Sequence, residues 1–209
     1  KPVSVEKLIH PYIAISRQSG IPAGEIARSV AEQLHWHLLD REVLEYLAQN
    51  HQWSEASLES VDERPGSWFR ETLGHWLDQR LVTSAEFVRA TAHVFLLAAQ
   101  HEPTVFVGRG AQFVLPPNRG LAVRLIASKR SRIARLMAAQ SRDHAQASQV
   151  VEKTDRDRAE YVQTYFHRDV ADAHNYDLTI NLDQFSSDEA AGMIVAACRL
   201  RFNAANTAS

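Results

Sequence analysis

Basic side chains follow several of the short apolar segments that we interpret as strands. Four arginines occupy this kind of position: Arg17, Arg41, Arg109 and Arg130. In a parallel sheet the carboxyl ends of the strands form one edge, and ligands bind along that edge. Arginine binds phosphate and carboxylate groups through paired hydrogen bonds. The pattern therefore favours a cleft for an anionic ligand, and solvated loop arginines are the plainer alternative.

The turn after the first apolar segment contains two glycines, Gly20 and Gly24. A glycine-containing loop between a strand and a helix binds phosphate because backbone N–H groups and the positive helix N-terminus face the ligand. A complete phosphate loop reads G-x-x-x-x-G-K-[ST], in which the lysine contacts the outer phosphates and the hydroxyl holds magnesium. Neither residue type follows Gly24 here, since the chain continues with Glu25. The two glycines alone are therefore a weak signal.

Strands and helices alternate along the chain, which is typical of a parallel sheet covered on both faces. Apolar and β-branched runs predict strands at 11–16, 37–40, 104–107, 121–127 and 178–180. Helical periodicity predicts a first helix with Ile26, Val30 and Leu34 on one face, and a last helix that carries Ala190, Ile194 and Cys198. Further helices are predicted at 41–50, 54–61, 67–82, 84–101, 129–142 and 148–170.

Length and composition indicate an ordinary globular protein. The 209 residues suit one domain with an inserted lobe. A net charge of −2 argues against general affinity for nucleic acid. The single cysteine, Cys198, cannot form an intrachain disulfide, and its apolar surroundings predict a buried thiol. No apolar run is long enough to span a membrane, and we expect a cytoplasmic protein.

Histidine and tryptophan residues do not predict a metal or a base-stacking site. The histidine pairs 35/37 and 167/174 lack an accompanying ligand motif with established spacing, so no metal site is expected. Four tryptophans lie in the first half of the chain, at positions 36, 53, 68 and 76, where packing is the plainer interpretation.

Five segments, in order, resemble the cytidylate-kinase-like family over about residues 12–200. They read IAISRQSG at 13–20 with EIA at 25–27, LDREVL at 39–44, VFVGRGA at 105–111, DRDRAEY at 155–161 and NYDLTIN at 175–181. The resemblance implies an α/β, P-loop kinase-like three-layer domain with a parallel five-stranded sheet. Its core would comprise about residues 11–40, 103–144 and 173–203, with a helical acceptor lobe at about 41–102 and a helical lid at about 145–172.

The same resemblance implies a reaction in which ATP, with Mg²⁺, gives its γ-phosphoryl group to a nucleoside monophosphate such as CMP or to a similar small phosphorylated ligand. By position, Arg109 would hold the phosphate of the acceptor. Asp40 and Arg41 would border the acceptor pocket, and Arg156 and Arg158 would close from the lid over the transferring group. Without the resemblance, the alternating charges around Arg156 would be interpreted as ion pairs on a solvated helix.

The nucleotide side of the site would be formed by the segment after the first strand. The resemblance assigns cofactor binding to five residues: Ser16, Arg17, Gly20, Gly24 and Glu25. The family has S-G-G-R where this chain has Ile21-Pro22-Ala23-Gly24. Pro22 removes a backbone N–H and Gly24 replaces a basic side chain, at a combined cost of about 3–5 kcal/mol of phosphate affinity. The loop is therefore a degenerate Walker A sequence.

Three interpretations remain open at this point. The first is a phosphotransferase with a modified phosphate loop. The second is a non-catalytic, kinase-like domain that binds a nucleotide, another anion or a protein partner. The third is an oligomeric scaffold, for which a homodimer would be expected.

Overall fold

The computed structural model describes residues 9–39 and 82–203. Asp40, Arg41, the helices predicted at 41–50 and 54–61, and nearly all of the helix predicted at 67–82 lie outside the described residues. The proposed division into core, acceptor lobe and lid therefore stays a prediction.

Five strands and six α-helices make up the described part of the chain. The strands are β1 (Tyr12–Arg17), β2 (His37–Leu39), β3 (Thr104–Val107), β4 (Gly120–Ile126) and β5 (Leu178–Asn181). The helices are α1 (Ala23–Leu34), α2 (Val82–His101), α3 (Ala111–Val114), α4 (Lys129–Gln140), α5 (His144–Phe166) and α6 (Ser187–Asn203). All five predicted strands are present, and each strand end lies within one residue of its predicted position.

All described strand pairs are parallel, and the order across the sheet is β2-β3-β1-β4-β5. Central β1 is bordered by β3, with Ile15 beside Val107, and by β4, with Ile15 beside Val123. Every residue of β3 is buried, because helices cover both faces of a parallel sheet. The register places Arg17 and the turn after Val107 at one edge, which is where the sequence predicts a ligand site.

Two apolar cores, one on each face of the sheet, hold the helices in place. On one face α1 and α6 pack against the strands through residues such as Ile26, Val30 and Ile194. On the other face α2 and the end of α5 cover the sheet, and the rings of Phe95 and Phe106 meet edge to face at 5.0 Å. The three-layer α/β fold expected from the sequence is confirmed.

Helix α5 begins four residues earlier and ends four residues earlier than the predicted span of 148–170. Asp143 accepts a hydrogen bond from the backbone N–H of Gln146, whose side chain returns to the Asp143 N–H and completes a capping box. At the other end, His167 adopts a left-handed conformation with φ 52° and ends the helix after Phe166. The capping box and the left-handed residue determine the two ends of the helix, whereas the prediction relied on the charge pattern between them.

Cys198 is 2% exposed on α6, as its sequence context predicts. Burial raises the pKa of its thiol to about 11. The thiol is therefore protonated near neutral pH, which suits a packing role. Among residues 9–39 and 82–203, no helix is both long enough and apolar enough to cross a membrane.

A glycine is required at position 20 by the backbone conformation and by the close approach of α4. The φ of Gly20 is +81°, and a Cβ at this position would lie 2.6 Å from the carbonyl oxygen of Arg132 in α4. We expect Gly20→Ala to reduce the free energy of unfolding by about 2–4 kcal/mol, through left-handed strain and displacement of α4. Urea-induced unfolding measures this change.

Gly192→Ala is the matched control, since Gly192 lies in α6 and a Cβ there would meet nothing within 4 Å. It should leave stability unchanged or raise it by up to about 1 kcal/mol. Equal effects of the two substitutions would contradict the close approach of Gly20 to α4.

Candidate functional site

A cleft lies at the carboxyl ends of β1 and β3, under the second half of α5. Its lining comes from β1, from the turn after β3, from α3 and α5, and from the segment after α5: Ser16, Arg17, Gly108, Arg109, Gly110, Gln112, Arg158, Tyr161, Val162 and Val170. The parallel sheet brings the first two of these segments together, because β1 and β3 are neighbours and end at the same edge.

The turn after β3 has an unusual backbone. Gly108, Arg109 and Gly110 all have positive φ, at 80°, 56° and 78°. This conformation costs a non-glycine residue about 1–2 kcal/mol, so Arg109 is strained where it lines the cleft. A Cβ at position 108 would overlap the Arg17 guanidinium, and one at position 110 would lie 2.5 Å from the Phe166 ring. The two glycines therefore allow Arg17 and Phe166 to approach the turn closely.

Helix α5 covers this turn and contributes a third arginine. Arg158 donates a hydrogen bond from Nη1 to the carbonyl oxygen of Arg17 at 3.3 Å. The hydroxyl of Tyr161 donates to the carbonyl oxygen of Arg109 at 3.3 Å. Burial raises the Tyr161 pKa to about 12, so this hydroxyl keeps its proton at neutral pH. The cleft is thus lined by Arg17, Arg109 and Arg158, which come from three separate segments. We call it the arginine cleft.

Arg156 is not brought to this cleft. It is exposed on α5 and does not line the cleft, whereas Arg158 does. Two residues along an α-helix correspond to a rotation of about 200°, which places the two side chains on opposite sides. Arg156 instead contributes to lowering the pKa of Glu152 on the outer side of the helix, where the Lys129 ammonium has the larger effect.

The glycine-containing loop between β1 and α1 is held by a carboxylate of the protein itself. The backbone N–H of Ser19 donates to Asp155 Oδ1 at 2.7 Å. Asp155 Oδ2 forms an ion pair with Arg132, whose side chain is 7% exposed. Arg132 also donates to the carbonyl oxygens of Ser19 and Ala127, at 3.2 and 3.1 Å. An N–H group that could bind a phosphate is therefore already hydrogen-bonded to a carboxylate.

The five residues assigned to cofactor binding fall into two groups. Ser16 and Arg17 line the arginine cleft, whereas Gly20 lies in the loop against α4. Gly24 and Glu25 are exposed in the first turn of α1, which has Pro22 at its N-cap and no side-chain capping hydrogen bond. Asp40 and Arg41, assigned to the acceptor pocket, lie outside the described residues.

Sequence reasoning missed Arg124, which does not line the cleft but contacts Ser16, a residue that does. Arg124 lies in β4, is 9% exposed, and donates from Nη1 to Ser16 Oγ at 3.1 Å and to the Tyr176 hydroxyl oxygen at 3.2 Å. Its guanidinium also lies 5.3 Å from the centroid of the Tyr176 ring. The available signal was a charged residue inside an otherwise apolar strand, since such a residue is rarely buried without a specific reason.

Magnesium has few candidate protein ligands here. No group of three or more metal-binding side chains occurs in the described ranges 9–39 and 82–203. Mg²⁺ is commonly bound through one or two carboxylates and the phosphates of a nucleotide. Of the described carboxylates beside the loop, Asp155 is already paired with Arg132, whereas Glu25 is exposed at the start of α1 and would fit this arrangement.

Removing the charge of Asp155 should loosen the contact between α5 and the loop. We expect Asp155→Asn to lower the free energy of unfolding by about 1–3 kcal/mol, because Arg132 would stay buried without its anionic partner. Urea unfolding at neutral pH measures the loss.

Asp157→Asn is the matched control on the same helix. Its carboxylate pairs with Lys153 one turn away, and both side chains are more than half exposed. Removing such a surface pair should change stability by no more than about 0.5 kcal/mol. A loss for Asp155→Asn no larger than this would show that the partly buried ion pair does not secure α5.

Comparisons with known proteins agree with this fold. A crystal structure of an uncharacterized protein from Eubacterium ventriosum is similar with a TM-score of 0.73 and 20% identity, covering 90% of this chain and 98% of that one. A gluconokinase from Sinorhizobium meliloti is similar with a TM-score of 0.54 and 12% identity, covering 96% and 99%. No curated protein sequence matches the chain. The sequence profile of the cytidylate kinase-like family matches residues 12–184, and the chain therefore belongs to the cytidylate kinase-like family.

Proposed function

We propose that the protein is a phosphotransferase that binds the phosphate group of a small phosphorylated acceptor, such as a nucleoside monophosphate, in the arginine cleft. The observation that supports this is the convergence of Arg17, Arg109 and Arg158 on one space at the carboxyl edge of the sheet. The donor would be ATP, bound at the adjoining loop between β1 and α1. An oxygen of the acceptor phosphate would attack the γ-phosphorus, and the bond from that phosphorus to the leaving ADP oxygen would break.

The charge of the cleft suits this acceptor. Three guanidinium groups lie along the cleft, although the whole chain has a net charge of −2. Hydrogen bonds to charged groups contribute about 1.5–3 kcal/mol each, so two or three of them suffice for specific recognition of a phosphate. Phosphoryl transfer depends mainly on positioning and on stabilisation of negative charge. Arg158 would serve both purposes from α5, which contacts the loop and the cleft.

A specific observation favours a second candidate, a kinase-like domain that binds a phosphorylated ligand without transferring phosphate. The Ser19 N–H of the loop is occupied by Asp155, and the loop has neither lysine nor arginine at residues 18–25. A nucleotide phosphate would have to displace a carboxylate that is paired with the buried Arg132. Both candidates share the acceptor cleft and differ in whether ATP binds productively.

A substitution of Arg109 can distinguish an effect on ligand binding from an effect on folding stability. Because the Arg109 φ of 56° is strained, glycine at this position relieves backbone strain, and we expect Arg109→Gly to fold. The same variant should lose the stabilisation that millimolar CMP gives the unchanged protein, since a ligand that binds only the folded state raises the melting temperature. Thermal unfolding with and without CMP measures both effects.

The exposed Arg142, which donates to Gln140, provides the control. Arg142→Gln should keep the full CMP response. A CMP response retained in Arg109→Gly would contradict the assignment of the acceptor phosphate to this cleft. Formation of ADP from Mg²⁺-ATP only when CMP is present would then distinguish the phosphotransferase from the binding domain, for which CMP would stabilise the protein without ADP formation.

If the loop is what limits ATP binding, rebuilding it should restore affinity. The combined change Ile21→Ser, Pro22→Gly, Ala23→Gly and Gly24→Arg returns an N–H group and a basic side chain, and we expect ATP to bind about 100-fold more tightly. Isothermal titration calorimetry measures this gain. Adding Asp155→Asn should increase it, because the carboxylate no longer competes for the Ser19 N–H. No gain in either protein would show that the donor side is limited elsewhere.

A further inference from the structure

Arg124 is a buried cation whose partners in the structure are neutral. Its side chain is bonded to two hydroxyl oxygens and lies over an aromatic ring. None of the ion pairs among the described residues includes it. Arg124 is 9% exposed, so its guanidinium lies in a mostly buried position. A positive charge in this position favours an anion nearby.

The hydrogen bonds around Arg124 leave the hydroxyl proton of Ser16 available to a further acceptor. The hydroxyl of Tyr176 has a single proton and lies 2.9 Å from the carbonyl oxygen of Val170, but 3.4 Å from Ser16 Oγ. The shorter distance assigns the Tyr176 proton to Val170. Arg124 can only donate, so both hydroxyl oxygens accept from its Nη1.

Ser16 is the hydroxyl-bearing residue of this group that lines the cleft. Its Oγ accepts from Arg124, and Ser16 lines the same space as Arg17, Arg109 and Arg158. With a lone pair of Oγ bound to a cation, the Ser16 hydroxyl is more acidic and is a better donor to an acceptor in the cleft. Phosphate oxygens are such acceptors.

We propose that the buried guanidinium of Arg124 orients and polarises the Ser16 hydroxyl as a hydrogen-bond donor to a phosphate-type anion in the arginine cleft. Arg124 is then a positioning residue, since it acts through Ser16. The inference rests on the proposed function, because it concerns the same acceptor site. It adds to that function a recognition element that comes from β4 and that does not depend on α5.

The test is a double-mutant cycle on Ser16 and Arg124, with CMP and inorganic phosphate as probes in isothermal titration calorimetry. Ser16→Ala removes the donor, and we expect affinity to fall by about tenfold to 100-fold. Arg124→Gln removes the charge and should cause a similar loss. If Arg124 acts through Ser16, the double variant should lose little more than either single variant.

Two further variants guard against a purely structural explanation. Tyr176→Phe removes the second acceptor of Arg124 but leaves the Ser16 contact, and should change affinity by less than about threefold. Arg199→Gln removes one exposed positive charge from α6 and should have no effect. Melting temperatures without ligand show whether Arg124→Gln folds. Should it fail to fold, Ser16→Ala and Tyr176→Phe still decide, because only the former is expected to lower affinity.

The outcomes distinguish this inference from the proposed function. Losses that multiply in the double variant, or a Ser16→Ala variant that binds as tightly as the unchanged protein, would overturn the role of Arg124 and leave the cleft assignment intact. Failure of the unchanged protein to bind either probe at millimolar concentration would overturn both. Equal, non-multiplying losses would support the inference.

Discussion

The ion pair between Arg132 and Asp155 is the interaction on which the arrangement of the site depends. It joins α4 to α5, and the same two side chains hold the backbone of Ser19 through its carbonyl oxygen and its N–H. Burying the Arg132 charge beside the partly exposed Asp155 costs free energy, which is offset only where the geometry is good and further hydrogen bonds are made. Arg132 meets this condition, with two carbonyl oxygens besides the carboxylate. The loop conformation and the position of α5 are thereby determined together.

Helix α5 contacts both the loop between β1 and α1 and the arginine cleft, and it contributes a carboxylate to the former and an arginine to the latter. On the loop side its Asp155 accepts from the backbone N–H of Ser19, so a phosphate at the loop would have to compete with a carboxylate. On the cleft side its Arg158 and Tyr161 donate to backbone carbonyl oxygens, and Arg158 lines the cleft together with Arg17 and Arg109. Under the proposed function, binding of an acceptor phosphate and binding of a nucleotide would therefore make different demands on the same helix. An enzyme that uses both sides would have to exchange the Asp155 contact for a contact to nucleotide.

The sheet and part of the cleft could be predicted from the sequence because they depend on local pattern and on chain order. Apolar and β-branched runs predicted all five strands, and the rule that ligands bind at strand ends predicted a role for Arg17 and Arg109. The family resemblance added Arg158 but also Arg156, which the structure leaves exposed on the other side of α5. The contacts of Arg124 with Ser16 and of Asp155 with Ser19 were missed, because the partners lie far apart in the sequence.

By itself, the sequence determined the alternation of strands and helices, the absence of a basic side chain from the loop, and membership of a kinase-like family. These features follow from residue types at neighbouring positions. Only the tertiary structure decided that an internal carboxylate occupies the loop and that a buried cation supports Ser16. The physical reason is that both contacts connect segments more than 100 residues apart. Their formation depends on the packing of α5 and on the register of β1 with β4, which a local pattern does not specify.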